Sequence, residues 1–415
     1  MHGRDIPIAI AKALVFSLMI FTVFCLAGCG KVPEEKKILM WLVGSEKQAQ
    51  KITELGLDFY KQTGVKVSCE AISWGEAHSK YLTSVVGEVT PDIGTMGLTW
   101  GTEFGNLGAM VDLNREFPDD LSELTSSIFP GLAGSIRYND SIFAVPFDMS
   151  EYIMFYRCDI IKEPPRTWKA LTSLLSELNS SGRSMIIDWG GMGWIGYSPF
   201  LWQNGGDYYD KDMTSATLDS DKALEAMKFF TSLYKSYEVP VENRPVEQSF
   251  KIGEYPIFIS GNWKMKSLSD IAPELKGKWA IATLPAGPTG KKTGFIGGRV
   301  MGIFSLSKHK KEAWEFIKYL SRPDIQIKLY EDTLESHDTY LPPNIKTWNL
   351  LPMEDSFKRP LLDQAMDSKG PPSVLGWDDS TRFIDTAIQL VVLKNKDAGA
   401  ALKDADNELE RRIRR

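Results

Sequence analysis

The sequence predicts an α/β protein with more than one domain. Its 415 residues exceed what a single ordinary hydrophobic core accommodates, so two domains are expected. The composition, 43% hydrophobic and 25% charged, is that of a folded globular chain. A strand, a helix and a second strand follow one another over residues 38–72. This order is typical of a βαβ unit and therefore of a parallel sheet.

The first βαβ unit is defined by its apolar runs and its helix ends. ILMWLV (38–43) and VKVSCEAI (65–72) read as strands. Between them, Ser45 and Gln48 have the spacing of a capping box, and Gly64 is placed to end the helix. A ligand is expected near the carboxyl ends of such strands, because open α/β sheets place their sites there.

Strand and helix patterns continue along the rest of the chain, without an internal repeat. The segment 141–161 contains two strand-like runs that are separated at Pro146. Further strands are predicted within 91–97, 255–263 and 278–305, and helices within 75–87, 164–178, 218–237, 310–321, 378–395 and 398–413.

The segment 185–206, MIIDWGGMGWIGYSPFLWQNGG, contains the spacing G-x-G-x-x-G after a strand-like run. We reject a dinucleotide site, because no strand with a terminal acidic residue follows about 20 residues later. Pro199 would also delay the helix beyond the glycines. We expect a turn and then a short helix that begins at Pro199. That helix would present Trp202 to a ligand, ahead of Trp194, with Trp189 left to packing.

The N-terminus predicts export. Arg4 and Lys12 precede an apolar run over residues 13–27 that is short for a membrane-spanning helix. The run ends in Leu-Ala-Gly-Cys, which resembles a bacterial lipobox. That resemblance implies a signal peptide at 1–28, a lipid on Cys29 and a tether over 29–37, so that the protein is exported and anchored to the outer face of the cell membrane or in the periplasm. An uncleaved anchor with an incidental cysteine is the alternative.

Charge and motifs exclude several classes of function. The net charge of −6 provides no basic surplus for a nucleic-acid partner. No histidine or cysteine spacing is typical of a metal site, and no nucleophile or phosphate-loop motif is present, so we expect neither metal, cofactor nor enzymatic activity. Cys69 and Cys158 are expected to be buried free thiols.

Tryptophan is the distinctive residue, with 12 in the chain. Most tryptophans belong to a hydrophobic core. Several of these, however, adjoin glycine, asparagine or aspartate at predicted strand ends. An indole face can pack on a sugar ring while neighbouring amides and carboxylates bind its hydroxyl groups. The tryptophans with this context are Trp74, Trp100, Trp202, Trp263 and Trp377.

The ordered set of segments resembles the extracellular solute-binding lipoproteins of bacterial ABC importers, the group that includes maltose-binding protein. The segments are ILMWLVGSEKQAQKITELGLDFYKQTGVKV, PDIGTMGLTWGTEFGNLGAMVDLN, AVPFDMSEYIMFYRCDII with PPRTW, LWQNGGDYYD, FKIGEYPIFISGNW, LPAGPTGKKTGFIGGRVMGIFSLSKHKKEAWEFIKYLS and YLPPN.

The resemblance implies the type II periplasmic-binding-protein fold, with two hinge-linked α/β lobes and a ligand cleft between them. It places one lobe at 38–147 plus 286–335 and the other at 148–285 plus 336–415. It further implies a monomer that closes around its ligand and delivers it to a membrane permease. Carried over by position, the ligand-binding residues are Ser45, Glu46, Trp74, Trp100, Asp148, Trp202, Asn262, Trp263, Arg299, Trp377 and Asp378.

We expect a carbohydrate ligand, with a preference for an oligosaccharide. Two alternatives remain. One is a non-sugar solute in the same fold: Arg299 in the cleft would favour an anion, and an aromatic box without it would favour a cation. The other is a secreted glycoside hydrolase whose turnover requires Asp148 or Asp378.

Overall fold

The structure is a computed structural model that describes residues 36–242, 245–335 and 338–414. The predicted signal peptide and lipid site at Cys29, together with most of the tether, lie outside the described residues. Within the described ranges, no helix combines the length and apolar character needed to cross a bilayer.

Thirteen strands and seventeen α-helices are found in the described ranges. The strands are β1 (Lys37–Val43), β2 (Lys66–Ile72), β3 (Ile93–Gly97), β4 (Arg137–Tyr138), β5 (Ser141–Ile142), β6 (Val145–Pro146), β7 (Ser150–Arg157), β8 (Met185–Ile187), β9 (Ile257–Gly261), β10 (Trp279–Ala282), β11 (Gly294–Gly297), β12 (Arg299–Ile303) and β13 (Ser368–Lys369). The helices are α1 (Glu46–Thr63), α2 (Trp74–Val86), α3 (Trp100–Asn106), α4 (Leu113–Glu116), α5 (Pro118–Thr125), α6 (Pro130–Ser135), α7 (Trp168–Asn179), α8 (Gly193–Gln203), α9 (Asp221–Ser236), α10 (Val246–Ile252), α11 (Lys264–Ile271), α12 (Lys310–Leu320), α13 (Pro323–Glu335), α14 (Ile345–Trp348), α15 (Asp355–Met366), α16 (Trp377–Lys394) and α17 (Ala398–Ile413).

Both ends of α1 lie where predicted, but only the Ser45 half of the capping box forms, because the Gln48 side chain binds Thr339 and Arg299 instead. The hydroxyl of Ser45 accepts a hydrogen bond from the backbone N–H of Gln48 at 3.1 Å. Gly64 adopts the left-handed conformation, with φ of 73°, and its N–H closes the last turn onto Tyr60. Strand β1 therefore leads directly into a helix whose first residues lie at the carboxyl edge of the sheet.

Two sheets define two lobes. The first sheet has the order β2-β1-β3-β12-β6, with β1 parallel to both β2 and β3. The second has the order β13-β11-β7-β9-β8, and β10 also pairs with β7. The two-lobed α/β architecture predicted from the sequence is confirmed.

The chain passes between the lobes three times. The first crossing leads from β6 to β7, the second lies between β11 and β12, and the third falls between α14 and α15. At the second crossing Gly298 has φ of 135°, and a Cβ there would lie 2.4 Å from the carbonyl oxygen of Asp148. Only glycine allows the two adjacent crossings to approach this closely.

The predicted lobe boundaries need correction at two positions. Strand β11 pairs with β7, so residues 286–297 belong to the second lobe and not to the first. Helix α14 belongs to the first lobe, because the indole of Trp348 donates to the carbonyl of Pro342 and Ile345 N–H donates to Ser127. The order of segments along the chain does not specify which sheet a strand joins or which lobe a helix packs against, which explains both errors.

The two cysteines of the described ranges are free. Cys69 is half-buried, and burial raises the pKa of its thiol to about 12. Cys158 is exposed, so the expectation that both thiols are buried is wrong for this one. It follows directly on β7, where the chain reaches the surface.

Candidate functional site

A cleft of about 750 Å³ lies between the lobes. The carboxyl ends of β1 and β3 form one wall, the start of β7 and the beginning of α8 form the other, and the first two crossings form the floor. Its aromatic lining consists of Trp74, Tyr152, Trp194, Trp263 and Phe295. The charged side chains among its described lining residues are Asp148, Glu151, Arg299, Asp338 and Asp378.

The cleft brings together some of the residues selected from the sequence and not others. Those that line it are Ser45, Trp74, Asp148, Trp263, Arg299 and Asp378. Those that do not are Glu46, Trp100, Trp202, Asn262 and Trp377. A ligand contact by any member of the first group remains a prediction.

Trp263 presents its ring to the cleft from the second lobe. It is half-buried and lies two residues after the end of β9. The ring packs over Gly261, where an added Cβ would lie 2.0 Å from the indole. Tyr152 meets it edge to face at a centroid distance of 5.9 Å. Gly261 is therefore required for the indole to lie flat against the end of the strand.

Trp202 and Trp377 lie one layer behind the cleft, so neither ring reaches the surface on which the predicted stacking would occur. Trp202 is 4% exposed and packs parallel to Phe295, with ring centroids 6.3 Å apart. Trp377 is 1% exposed and meets Trp194 edge to face at 5.4 Å. These two indoles support the aromatic residues that do line the cleft.

The error at Trp202 comes from where α8 begins. The helix starts at Gly193 and contains Pro199 in its interior, whereas Pro199 was expected to open it. With this start, Trp194 lies in the first turn of the helix and Trp202 lies two turns further on, about 12 Å along the helix axis. As a result Trp194 reaches the cleft and Trp202 enters the core. The glycines do form a turn, since 190–192 is a short 3₁₀ helix.

A carboxylate from a distant helix stabilises this early start. Met192, the residue before α8, offers no side-chain cap. Instead, Asp385 of α16 accepts a hydrogen bond from the backbone N–H of Trp194 at 2.6 Å. Desolvation raises the pKa of Asp385 to about 7, and the hydrogen bond opposes that shift. Asp385 thus acts as a tertiary N-cap that positions Trp194.

Asp148 and Arg299 form a buried ion pair at the floor of the cleft, 7% and 5% exposed. Arg299 donates from Nε and Nη2 to Oδ2 of Asp148, at 2.9 and 2.5 Å, and from its backbone N–H to Oδ1 at 2.7 Å. Its Nη1 donates to the carbonyl of Val43 and to Gln48. Four of the five guanidinium donors are therefore used within the protein.

This pairing weakens two of the alternatives. An anionic ligand would need free donors on Arg299, and most of them are committed. A hydrolase that used Asp148 as its acid or base would need a carboxylate oxygen available to substrate, and both oxygens accept hydrogen bonds from Arg299.

Asp378 joins the two lobes at the mouth of the cleft. The hydroxyl of Thr99, at the start of α3 in the first lobe, donates to its Oδ1 at 2.8 Å. Although this carboxylate reaches solvent, the surrounding cleft residues desolvate it and raise its pKa, while hydrogen bonds from Thr99 and Trp100 act in the opposite direction. Thr102 and Ser373 make a second contact between the lobes at 3.0 Å.

Ser45, Glu46, Trp100 and Asn262 have supporting positions. Besides capping α1, the Ser45 hydroxyl donates to Asp338 at 2.6 Å. Glu46 is exposed in the first turn of α1, and Trp100 packs against Trp74 with centroids 6.0 Å apart. The amide oxygen of Asn262 accepts from the backbone N–H of residue 151 at 2.8 Å, which aligns the start of β7.

Glu151 is the functional candidate that the sequence reasoning missed. It lines the cleft and is only 1% exposed. Neither carboxylate oxygen has a hydrogen-bond partner among the described residues. Burial raises its pKa well above the usual range of a glutamate. The available signal was a single acid immediately before the apolar and aromatic run YIMFY of this strand.

Within the described ranges, no three histidine, cysteine, aspartate or glutamate side chains are grouped to hold an ion.

Two α/β lobes around a cleft define the class of solute-binding proteins. The chain belongs to the bacterial extracellular solute-binding protein family, whose pattern matches residues 44–327. It is 21% identical over 377 residues to a maltooligosaccharide ABC transporter solute-binding lipoprotein of Streptococcus pneumoniae, covering 85% of this chain and 84% of the relative. It is 25% identical over 240 residues to a maltotriose-binding protein of Pyrococcus abyssi, covering 56% of this chain and 51% of that protein.

Among solved structures, the fold is similar to the sugar-binding protein MalE of Xanthomonas citri, with a TM-score of 0.81 and 24% identity over 91% of this chain and 98% of that one. The predicted fold class and family are thus confirmed.

Proposed function

We propose that this protein captures a carbohydrate in the cleft between its lobes and delivers it to the membrane subunits of an ABC importer. The observation that carries the proposal is the lining itself, in which five aromatic rings adjoin carboxylates, hydroxyl groups and a glutamine. Aromatic faces pack on the apolar faces of sugar rings, and the polar groups bind hydroxyls. The named sugar ligands of the relatives support the same class.

The volume supports more than one sugar unit. The cleft of about 750 Å³ falls within the range of sites that enclose a drug-sized ligand. Trp194 and Trp263 both belong to the second lobe, whereas Trp74 belongs to the first. A ligand that touches all three contacts both lobes and therefore favours the closed state. We infer an oligosaccharide for this reason.

The proposal extends to the part of the chain outside the described residues. Cleavage of a signal peptide at 1–28 would leave Cys29 as the first residue, and a lipid on Cys29 would hold the binding protein beside its permease. Mass spectrometry of the membrane fraction tests this: a peptide that begins at Cys29 with attached acyl chains supports it, and an intact N-terminus contradicts it.

We further propose a monomer without catalytic turnover. Sedimentation velocity tests the first statement, and product analysis after long incubation with bound sugar tests the second.

Titration calorimetry with a panel of mono- and oligosaccharides tests the central claim. Trp263→Ala removes a stacking surface of roughly 60 Å², worth about 1.5 kcal/mol or about tenfold in affinity. Trp189→Ala is the matched control, because Trp189 is also half-buried in the second lobe but does not line the cleft. If no sugar binds the wild-type protein, the proposed function is wrong. If both variants lose affinity equally, the assignment of the sugar-binding site to the cleft at Trp263 is wrong.

A further inference from the structure

Glu151 is a buried acid without a hydrogen-bond partner among the described residues, and the neighbouring residues on the same face of its strand are apolar. On β7, Ile153 and Phe155 have the same orientation as residue 151 under the alternation of a strand, and both are fully buried in the hydrophobic core. A carboxyl group there is expensive to bury, because nothing among the described residues replaces its hydrogen bonds to water. Such groups in native proteins are concentrated at functional sites.

The strand holds this acid firmly at the edge of the cleft. Residue 151 pairs with Ile296 of β11, and its backbone exchanges two hydrogen bonds with Asn262, at 2.8 and 2.9 Å. Asn262 immediately precedes Trp263. The same short contact therefore positions an aromatic face and a carboxyl group of the cleft relative to each other.

The described lining of the cleft has no uncommitted basic side chain that could pair with Glu151. Arg299 is the only lysine, arginine or histidine among the described lining residues, and its guanidinium is committed to Asp148, Val43 and Gln48. Asp378, another acid of the lining, has a hydroxyl partner in Thr99. The described lining therefore has an excess of acidic groups, next to aromatic rings that attract cations.

On these observations, we propose that Glu151 is the specificity-determining residue of the cleft and that it selects a ligand with a protonated amino group. This inference rests on the proposed function, under which the ligand is a basic amino sugar. The ammonium group would supply the hydrogen bonds and the charge that Glu151 lacks. Tyr152, Trp263 and Phe295 line the same cleft and would pack on the faces of the sugar ring.

Matched pairs of probes that differ only in an amino or a hydroxyl group provide the test. Suitable pairs are glucosamine and glucose, galactosamine and galactose, and the β-1,4-linked glucosamine trimer and cellotriose. Calorimetry gives the amino-to-hydroxyl affinity ratio for the wild-type protein, for Glu151→Gln and for Glu177→Gln. The last variant makes the same substitution at an exposed residue of α7 that does not line the cleft.

The expected result is a preference for the amino member in the wild-type protein. This ratio should fall by on the order of tenfold or more in Glu151→Gln, as for the loss of a charge-assisted hydrogen bond. It should stay unchanged in Glu177→Gln. The melting temperature of the ligand-free protein should not fall in Glu151→Gln, because no partner in the described part of the protein is lost.

Several results would overturn the inference. Equal or tighter binding of the hydroxyl members by the wild-type protein refutes it without any variant, while leaving the proposed sugar-binding function in place. An unchanged ratio in Glu151→Gln, or a lower melting temperature of that variant without ligand, assigns Glu151 a structural role. Failure of both members of every pair to bind counts against the proposed function as well.

Discussion

The ion pair between Asp148 and Arg299 makes the sharpest prediction for the stability of the hinge. It joins the first crossing to the second, and through Val43 and Gln48 it also holds the end of β1 and the first turn of α1. Replacing Arg299 by methionine keeps an apolar stem of similar length but leaves the carboxylate of Asp148 buried without its cation. Replacing Asp148 by asparagine leaves the guanidinium without an anion.

Each single variant should lose about 3–5 kcal/mol of the free energy of unfolding, because an unpaired buried charge keeps its desolvation penalty. The double variant Asp148→Asn/Arg299→Met contains neither charge. Its loss should therefore be smaller than the sum of the single losses, by up to about 3 kcal/mol.

Urea unfolding followed by circular dichroism provides the measurement. Lys222→Met is the control, since Lys222 and Glu225 form an exposed pair with side chains 56% and 58% accessible. That variant should lose less than about 1 kcal/mol. Additive losses in the double variant, or single losses no larger than that of the control, would refute the view that the hinge depends on this pair.

Three further predictions concern the layers around the cleft. The native protein favours the protonated form of Asp385, whose pKa of about 7 exceeds the value of about 3.9 in an unfolded chain, so this group makes the wild-type protein less stable as the pH rises from about 4 to about 7. Asp385→Asn keeps the hydrogen bond from Trp194 and should reduce that decline in urea unfolding at several pH values; an identical decline contradicts the assignment. Trp202→Ala should lower the free energy of unfolding by about 3–5 kcal/mol with little change in the affinity of the folded fraction, so a stable variant without binding would place Trp202 in the site after all. Thr99→Val removes the hydrogen bond to Asp378 and should increase the radius of gyration of the ligand-free protein in X-ray scattering, whereas an unchanged radius would mean that this contact does not hold the lobes together.

Local features of the structure followed well from the sequence. Capping of α1 by Ser45 and its end at Gly64 depend on hydrogen bonds between residues close in the chain, so their spacing is visible in the letters. Trp263 was found for a similar reason: it lies two residues after a buried strand whose end reaches the cleft. The order of such segments along the chain was also sufficient to identify the protein family.

The sequence did not show which tryptophans line the cleft and which are buried in the core. Trp202 and Trp194 lie on the same helix, and both adjoin residues that are typical of ligand sites. Which of them faces the ligand depends on the residue at which α8 begins. That residue is set by Asp385, which lies 191 positions away from Trp194 in the sequence. No local pattern contains this information.

By itself, therefore, the sequence determined the class of fold, the order and ends of most elements, and a set of polar and aromatic residues near strand ends, since all of these follow from short-range periodicity and capping. Only the tertiary structure showed to which lobe β11 and α14 belong and which tryptophans form a second layer behind the cleft. It also showed that the guanidinium of Arg299 is hydrogen-bonded to Asp148. The same packing leaves Glu151 buried without a partner in the described protein. These outcomes depend on strand pairing and on contacts between distant segments, whose energies appear only when the lobes are assembled.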